Sequence, residues 1–394
     1  MCYTFSTHSA GCESQPRCFR PWQTLLWSTA RAAGRSLGNG KEGGHSFRVV
    51  TYNILSPTLC SWKRFPHCKP EDLQEPVRWE RVVAKLDHAI ASKPTVICLQ
   101  EVDETWAGRL HSHFQSKDWH FAYAMTPMTY FKPIGVAMAW PKDLRLEDLR
   151  FLRVSEVLPQ VAVPEESFWQ RFKARLRSLV ASSSPKPSAA GAAEPWSIAA
   201  RKQNRVLAMR LEMPSGQHFV VANYHMPCLF DEAVNRQAKA IHCVLLREVL
   251  KNNFPDDPLV LVGDFNTKPE DSEMQLLKHG QLDAKDVAFP EAYEGLELAD
   301  LHRVSKDWTL QSAYAQRWGH EPEFTNYAWV EDCPESFRAT LDYILVSSQI
   351  EVVDVLELPD TKLGDPVYPT SEQPSDHVLL AADLKISDAE EPKK

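Results

Sequence analysis

Short, wholly apolar β-runs that stop on a polar residue constrain this chain more than any other feature. The plainest is Leu259-Val260-Leu261-Val262, followed by Gly263-Asp264-Phe265-Asn266 and the turn Thr267-Lys268-Pro269. Four β-formers without alternation read as a strand buried on both faces, and such a strand needs a layer on each side. Residues i and i+2 of extended chain point the same way, so Asp264 and Asn266 are expected to aim at one spot. An acid and an amide at a strand mouth either cap the next turn or hold a metal or water. This stretch alone does not choose between the two.

The pattern recurs along the chain. Residues 47–55 are β-rich and halt at Ser56-Pro57, residues 79–90 carry apolar side chains at helical spacing, and residues 95–101 form a second buried run ending in acid. A strand–helix–strand unit usually makes its strands parallel, which brings Asn53 and Glu101 to one sheet edge. Residues 135–140, 204–211, 218–225, 340–346 and 378–382 read as further strands, and 231–251 as a helix with Ala233, Ala240, Ile241, Val244, Leu245 and Val249 facing inward. Residues 144–163 read as irregular, with strand-like pieces.

Residues 165–200 read as an insertion. Its first part, 165–180, is an amphipathic helix with a basic face, read as core-packing or as touching lipid or RNA. Its Ser-, Pro- and Ala-rich part, 181–195, is expected to be a flexible, disordered loop. Strand patterns resume beyond it, so residues 47–386 read as one catalytic domain. Residues 1–46, with five Arg or Lys against Glu13 and Glu42, read as a flexible leader or an organelle transit peptide, and 387–394 as a charged tail.

Composition narrows the class. Hydrophobic content of 43% and charged content of 24% over 394 residues are those of a soluble globular protein. A net charge of -8 argues against a nucleic-acid coat or a polybasic anchor, though not against a nuclease whose metal neutralises its own carboxylates. No apolar run approaches the roughly 20 residues of a membrane span. The 9 cysteines are scattered without paired spacing, which points to a reducing, intracellular setting: cytoplasmic, or mitochondrial or another organelle if the leader is a transit peptide. Cys60, His67 and Cys68 lack the spacing of zinc ligands.

The polar residues at the strand ends form a constellation: Asn53, Glu101, His225, Asp264, Asn266, Asp342, Asp376 and His377. Carboxylates and amides without a thiolate suit a hard cation, Mg²⁺ or Mn²⁺, which in turn suits phosphate oxygens. The histidines can donate to a phosphoryl oxygen or move a proton. No serine or cysteine stands in a nucleophile setting, so water is the expected nucleophile and metal-assisted phosphoester hydrolysis the expected chemistry.

In order along the chain, Tyr52-Asn53-Ile54-Leu55, Leu99-Gln100-Glu101-Val102-Asp103, Asn223-Tyr224-His225, Gly263-Asp264-Phe265-Asn266, Leu341-Asp342-Tyr343 and Ser375-Asp376-His377 resemble the motifs of the endonuclease/exonuclease/phosphatase family. Trp79-Glu80-Arg81 and Phe324-Thr325-Asn326-Tyr327 look like its deadenylase branch: carbon catabolite repressor-type deadenylases, nocturnin, Angel proteins and the 2',5'-phosphodiesterase. Abasic-site endonucleases carry an acid where Leu55 stands. The resemblance implies an α/β fold, a four-layer sandwich of two packed, mostly antiparallel or mixed sheets flanked by helices. It implies Mg²⁺ on Glu101 with Asn53 beside it, Asp376 helping, and Asp264 deprotonating the attacking water. Asn266 would hold metal or phosphate, His225 would donate to a phosphate oxygen, and His377 would stabilise the phosphoryl group, oriented by Asp342. Phe324 and Asn326 would contact substrate; Phe324, Tyr327 and Trp329 are read as base-stacking or core.

Two motifs depart from nocturnin's relatives. Met226-Pro227-Cys228 follows the strand histidine in place of Leu and a basic residue, and Ile134-Gly135 stands for Asp-Gly. The substrate-facing loops therefore differ. The expected activity is a Mg²⁺-dependent phosphodiesterase, most simply a 3'-exoribonuclease. The alternatives are a hydrolase of a small phosphoester (dinucleotide, phosphoinositide or sphingomyelin-like lipid) and a non-catalytic binding scaffold.

Overall fold

The structure, a computed structural model, describes residues 46–90, 93–126, 133–158, 190–230, 232–301, 305 and 308–387. Its organising unit is a parallel strand pair joined by a helix, and the unit occurs twice. In the first, β1 (Ser46–Asn53) and β2 (Thr95–Asp103) run parallel with Asn53 opposite Gln100, connected through α1 (Glu75–Ala89). The helix opens before the expected residue 79 because Pro76 fits its first turn, where a missing N–H costs nothing. In the second, β7 (His218–His225) and β8 (Leu259–Asp264) run parallel with His225 opposite Asp264, connected through α4 (Ala233–Asn253).

Each pair grows into a six-stranded sheet by antiparallel addition. The first sheet has the order β13-β14-β1-β2-β4-β3, with β3 (Trp119–Thr126), β4 (Ile134–Pro141), β13 (Ile350–Val355) and β14 (Leu380–Ile386). The second has the order β5-β6-β7-β8-β12-β9, with β5 (Arg145–Arg153), β6 (Arg205–Glu212), β9 (Leu310–Ser312) and β12 (Asp342–Ser347). A short hairpin, β10 (Asn326–Ala328) and β11 (Phe337–Ala339), stands apart from both.

The two sheets face each other across one apolar core, in which Phe47 of β1 stacks on Phe219 of β7 with ring centroids 4.0 Å apart. On the outer face of the first sheet lie α1 and α2 (Glu104–Gln115), packed through Val82, Leu86, Trp106 and Leu110. On that of the second lie α3 (Ala190–Arg201), α4 and α5 (Ser272–His279). These are the expected four layers. Wholly apolar strands result because both faces of each central strand are covered.

One polar contact crosses the dry interior. Asn223 of β7 donates through Nδ2 to the carbonyls of Leu99 (3.0 Å) and Ala137 (2.9 Å), and accepts at Oδ1 from Gln100 Nε2 (2.7 Å). A bulge between Leu99 and Val102 breaks the β2–β4 ladder there, and the amide of the opposite sheet takes up the released carbonyls.

Several expectations shift. The stretch read as irregular contains the nine-residue strand β5, an edge strand whose charged residues hide its alternation. Residues 190–195, read as disordered loop, begin α3, and Trp196 anchors that helix by donating to the Glu291 carbonyl. The expected strand 259–266 ends at Asp264. Ala233 is exposed, and from Ala238 to Leu250 α4 is buried all round. The expected basic helix 165–180, loop residues 181–189, leader residues 1–45 and tail residues 388–394 lie outside the described residues. Among the described residues, no helix is long and apolar enough to cross a membrane.

Gly263 adopts φ +141°, and a Cβ there would lie 1.8 Å from the Tyr224 carbonyl oxygen on the neighbouring strand. Gly263→Ala is expected to destabilise the protein by about 3 kcal/mol, from overpacking and a disfavoured dihedral together. The readout is a lower urea midpoint at unchanged slope, and an unmoved midpoint would refute the close approach.

Candidate active site

Parallel strands end at the same sheet edge, so the two central pairs deliver their last residues to one place. Asn53 closes β1 and Asp264 closes β8, while Asp342 opens β12 directly opposite Asp264 and His377 lies three residues before the final strand. Asn53 Nδ2 lies 3.0 Å from Asp264 Oδ2 and 3.2 Å from Glu101 Oε1. His225 Nε2 lies 3.4 Å from Asp264 Oδ2, and His377 Nε2 3.7 Å from the same oxygen. One carboxylate oxygen of Asp264 is thus ringed by an amide and two imidazoles contributed by three other segments.

Three residues of this floor have left-handed backbone: Leu55 (φ 51°), Glu101 (φ 57°) and Asn266 (φ 47°). Non-glycine residues rarely adopt that region, and each costs about 1–3 kcal/mol that its surroundings must offset. Glu101 sits in the β2 bulge, which turns its carboxylate toward the cleft, where Ser56 N–H donates to Oε2 at 3.2 Å. Leu55 and Asn266 follow the same plan. Leu55 N donates to Asn53 Oδ1 at 3.0 Å, and Asn266 N donates to Asp264 Oδ1 at 2.9 Å, each turn held by the side chain two residues earlier.

Asn266 therefore does not share a strand face with Asp264, as alternation suggested. It reaches the cleft through a turn, with Nδ2 donating to the Met226 carbonyl at 2.9 Å.

Two buried cations hold these turns from beneath. Arg78 of α1, fully buried over the Trp106 ring, donates to the carbonyls of Ile54 (2.7 Å), Leu55 (2.6 Å) and Pro374 (2.7 Å). It thereby ties the segment after Asn53 to the one before Ser375-Asp376-His377. Lys239 of α4, buried against Phe230, donates to the Asn266 carbonyl at 2.8 Å. Neither cation was anticipated, because one inner stripe was assumed for each helix.

His377 Nδ1 lies 2.7 Å from Asp342 Oδ2, which also accepts from Thr325 Oγ1 at 2.6 Å. Burial alone would lower the His377 pKa, but Asp342, Asp264 and Asp376 outweigh it and hold the imidazole well above its usual range. Burial pushes Asp342 up to about 6 against the pull of His377. With carboxylates on several sides of one ring, the pair keeps its proton on the imidazole.

Asp264, Asp342 and His377 place ligand atoms within 4.8 Å of one another. Asp342 bonds His377 and Thr325 through Oδ2, keeps a buried Oδ1 without a partner, and does not line the cleft. Of the carboxylates expected at the site, Glu101, Asp264 and Asp376 line the cleft, whose wall also carries Asp271, Glu273 and Glu335. With the oxygens of Asn53 and Asn266, the first three make an all-oxygen donor set without thiolate, which fits a hard divalent cation.

Of the residues expected at the site, Glu101, His225, Asp264, Asn266, Asn326, Asp376 and His377 line one cleft of about 1160 Å³. Asn53 and Asp342 lie beneath it, bonded to residues that line it. Phe324 does not reach it. The ring is buried in the inter-sheet core among Tyr327 and Tyr368, with Arg338 above it, because its neighbour Thr325 turns inward to Asp342. Tyr327 is likewise core, and Trp329 stacks on His67.

Replacing Arg78 or Lys239 by Met leaves buried carbonyls without donors, at about 1–3 kcal/mol for each unmet group. Arg78→Met is expected to lower the denaturation midpoint more than Lys239→Met, since it strands three carbonyls rather than one. Equal midpoints would refute the clamp assigned to Arg78.

Known proteins share this fold and sequence. Carbon catabolite repressor protein 4 homolog 4 of Arabidopsis thaliana is 26% identical over 366 residues, covering 90% of this chain and 81% of its own length. Nocturnin of Drosophila melanogaster is 25% identical over 353 residues, covering 87% of this chain and 47% of its own length. Human 2',5'-phosphodiesterase 12 is 25% identical over 355 residues, 86% of this chain and 51% of its own length, so the chain spans about half of these last two relatives. Among solved structures, ANGEL2, described as a 2',3'-cyclic phosphatase, superposes with TM-score 0.62 at 19% identity over 87% of this chain and 96% of that one. The human nocturnin catalytic domain superposes with TM-score 0.53 at 20% identity over 87% and 94%. Residues 50–377 match the model of the Endonuclease/Exonuclease/phosphatase family, and the chain belongs to that family of hydrolases acting on phosphoester bonds.

Proposed function

We propose that this protein is a Mg²⁺-dependent phosphodiesterase that removes nucleotides from the 3' end of RNA. The supporting observation is the convergence on Asp264 Oδ2 of Asn53, His225 and His377 at the floor of a cleft lined by both acidic and basic side chains. Glu101 and Asp376, with Asn53, Asp264 and Asn266 at hand, would hold Mg²⁺, which when bound neutralises charge on phosphate oxygens.

The chain's own groups divide the remaining work. Asn53 Nδ2 fixes the orientation of Asp264, whose carboxylate takes the proton of the attacking water. His377, kept protonated by Asp342, offers Nε2–H to a phosphoryl oxygen as negative charge builds there. His225 and Asn266 face the cleft from the opposite sheet edge and bind a second phosphoryl oxygen, and Asn326 borders the same space.

One observation favours a small phosphoester, such as a dinucleotide, phosphoinositide or sphingomyelin-like lipid. The cleft side that follows His225 is Met226-Pro227-Cys228, which offers no charge to a polynucleotide backbone.

The test is hydrolysis by residues 46–394 with Mg²⁺ of 3'-adenylated RNA, mixed-sequence RNA, 2',5'-oligoadenylate and phospholipid headgroup esters. RNA is expected to shorten from its 3' end, with activity abolished by EDTA and restored by Mg²⁺. Asp264→Ala is expected to lower kcat about 10²–10⁴-fold, the usual worth of a general base. Glu101→Gln is expected to raise the Mg²⁺ concentration needed for half-activity. Cleavage of the headgroup esters alone would favour the small-substrate reading. Cleavage of nothing would leave a binding scaffold, and full activity in Asp264→Ala would overturn the role given to that residue.

A further inference from the structure

Beside His225 the cleft is lined by a basic segment that the scheme above does not use: Arg201, Lys202, Asn204 and Arg205, at the junction of α3 and β6. The segment is fastened in place. Asn204 Nδ2 donates to the His225 carbonyl at 2.8 Å, Ser155 Oγ donates to the Lys202 carbonyl at 2.7 Å, and Val154 N donates to the Asn204 carbonyl at 3.3 Å. Its position is thus set directly from the strand end that carries the catalytic-edge histidine.

Two of its cations, Lys202 and Arg205, lack a full set of partners among the described residues. Arg205 Nε is buried without a hydrogen-bond partner, although a buried guanidinium donor ordinarily finds one. Arg205 stands opposite Arg153 across the β5–β6 ladder, where two like charges share one face at a cost. Lys202 is half-buried and makes no ion pair among the described residues; burial lowers its pKa, and Cys228 and Arg201 act on it in opposite directions. Cations crowded together, partly desolvated and facing a cleft are relieved by an anion with several acceptor oxygens, and the planar arginine fork matches phosphate best.

We propose that Lys202 and Arg205 form a second phosphate subsite, so that the preferred substrate carries a non-scissile phosphate on the His225 side of the bond that is cut. This rests on the phosphodiesterase reading and adds to it a substrate class: a nucleotide ligand with two phosphates, rather than an isolated diester. Met226-Pro227-Cys228 has no basic residue, and the segment 201–205 supplies the charge from a neighbouring strand instead.

The second phosphate is either a terminal monoester or the next internucleotide link, and three substrates separate them: ApA, pApA and ApApA. Full-length protein with Mg²⁺ is assayed as wild type, Lys202→Ala, Arg205→Gln, the double variant, and Lys202→Arg. The preference for pApA over ApA in kcat/KM is expected to fall about tenfold in the double variant, the worth of a lost charged hydrogen bond, and to survive in Lys202→Arg. A parallel fall for ApApA over ApA assigns the internucleotide link, and a fall for pApA alone assigns the monoester. An equal loss on all three substrates, or none, overturns the subsite. Calorimetric binding of adenosine 3',5'-bisphosphate without divalent metal gives a readout independent of turnover. Wild type is expected to bind about tenfold more tightly than the double variant, and equal or absent binding overturns the subsite. Wild-type protein that binds this probe but cleaves no substrate would refute the hydrolase reading alone.

Discussion

The structure depends on a single carboxamide. Asn223 reaches from the second sheet into the bulge of the first and satisfies two carbonyls that the broken β2–β4 ladder leaves open, while Gln100 returns a bond to it. Two sheets packed through apolar side chains alone can slide, because the hydrophobic effect is not directional. A buried amide bonded on both sides cannot move without leaving strong groups unpaired, at about 1–3 kcal/mol each. The same bulge turns Glu101 outward, and the residue two positions after Asn223 is His225. This interaction therefore acts with Asn53–Asp264 and His377–Asp342 to hold the site's two halves at a fixed separation.

Around that anchor the site gathers Glu101, Asp264, Asp342 and Asp376 at one end of the two sheets. Like charges so placed repel, and the fold answers with donors: the Asn53 amide between two of the acids, Thr325 on Asp342, and a protonated His377 within reach of three. Arg78 and Lys239 contribute differently. They bond backbone carbonyls and leave the carboxylates open toward the cleft. These two cations thus place the turns that carry the acids without pairing with the carboxylates themselves.

Most of this could be read from the residues. The two strand–helix–strand units and the ordered polar residues at strand ends were visible because wholly apolar runs such as 259–262 and 96–99 read as buried strands, while the four layers followed from the family resemblance. What escaped had physical reasons. β5 is an edge strand, and its Arg and Glu positions mask the period of two. Asn266 reaches the cleft beside Asp264 through a left-handed turn held by the Asp264 side chain and by Lys239, which strand alternation does not reveal. Phe324 was ambiguous as sequence, and only the inward turn of Thr325 decides that it is core. The basic segment at 201–205 looked like an ordinary strand entry until Asn204 was seen to hold His225.

The bond from Ser375 Oγ to the Asn53 carbonyl joins residues 322 positions apart, and β14 pairs with β1 near the middle of the first sheet. This has a consequence for biosynthesis. At roughly 5–20 residues per second of translation, on the order of 15–60 seconds separate the emergence of Asn53 from that of its partner. During that interval β1 exposes an unpaired edge and Arg78 lacks the Pro374 carbonyl. The first sheet therefore closes only when β14 is made, and until then that edge of the nascent chain is open to pairing with other strands.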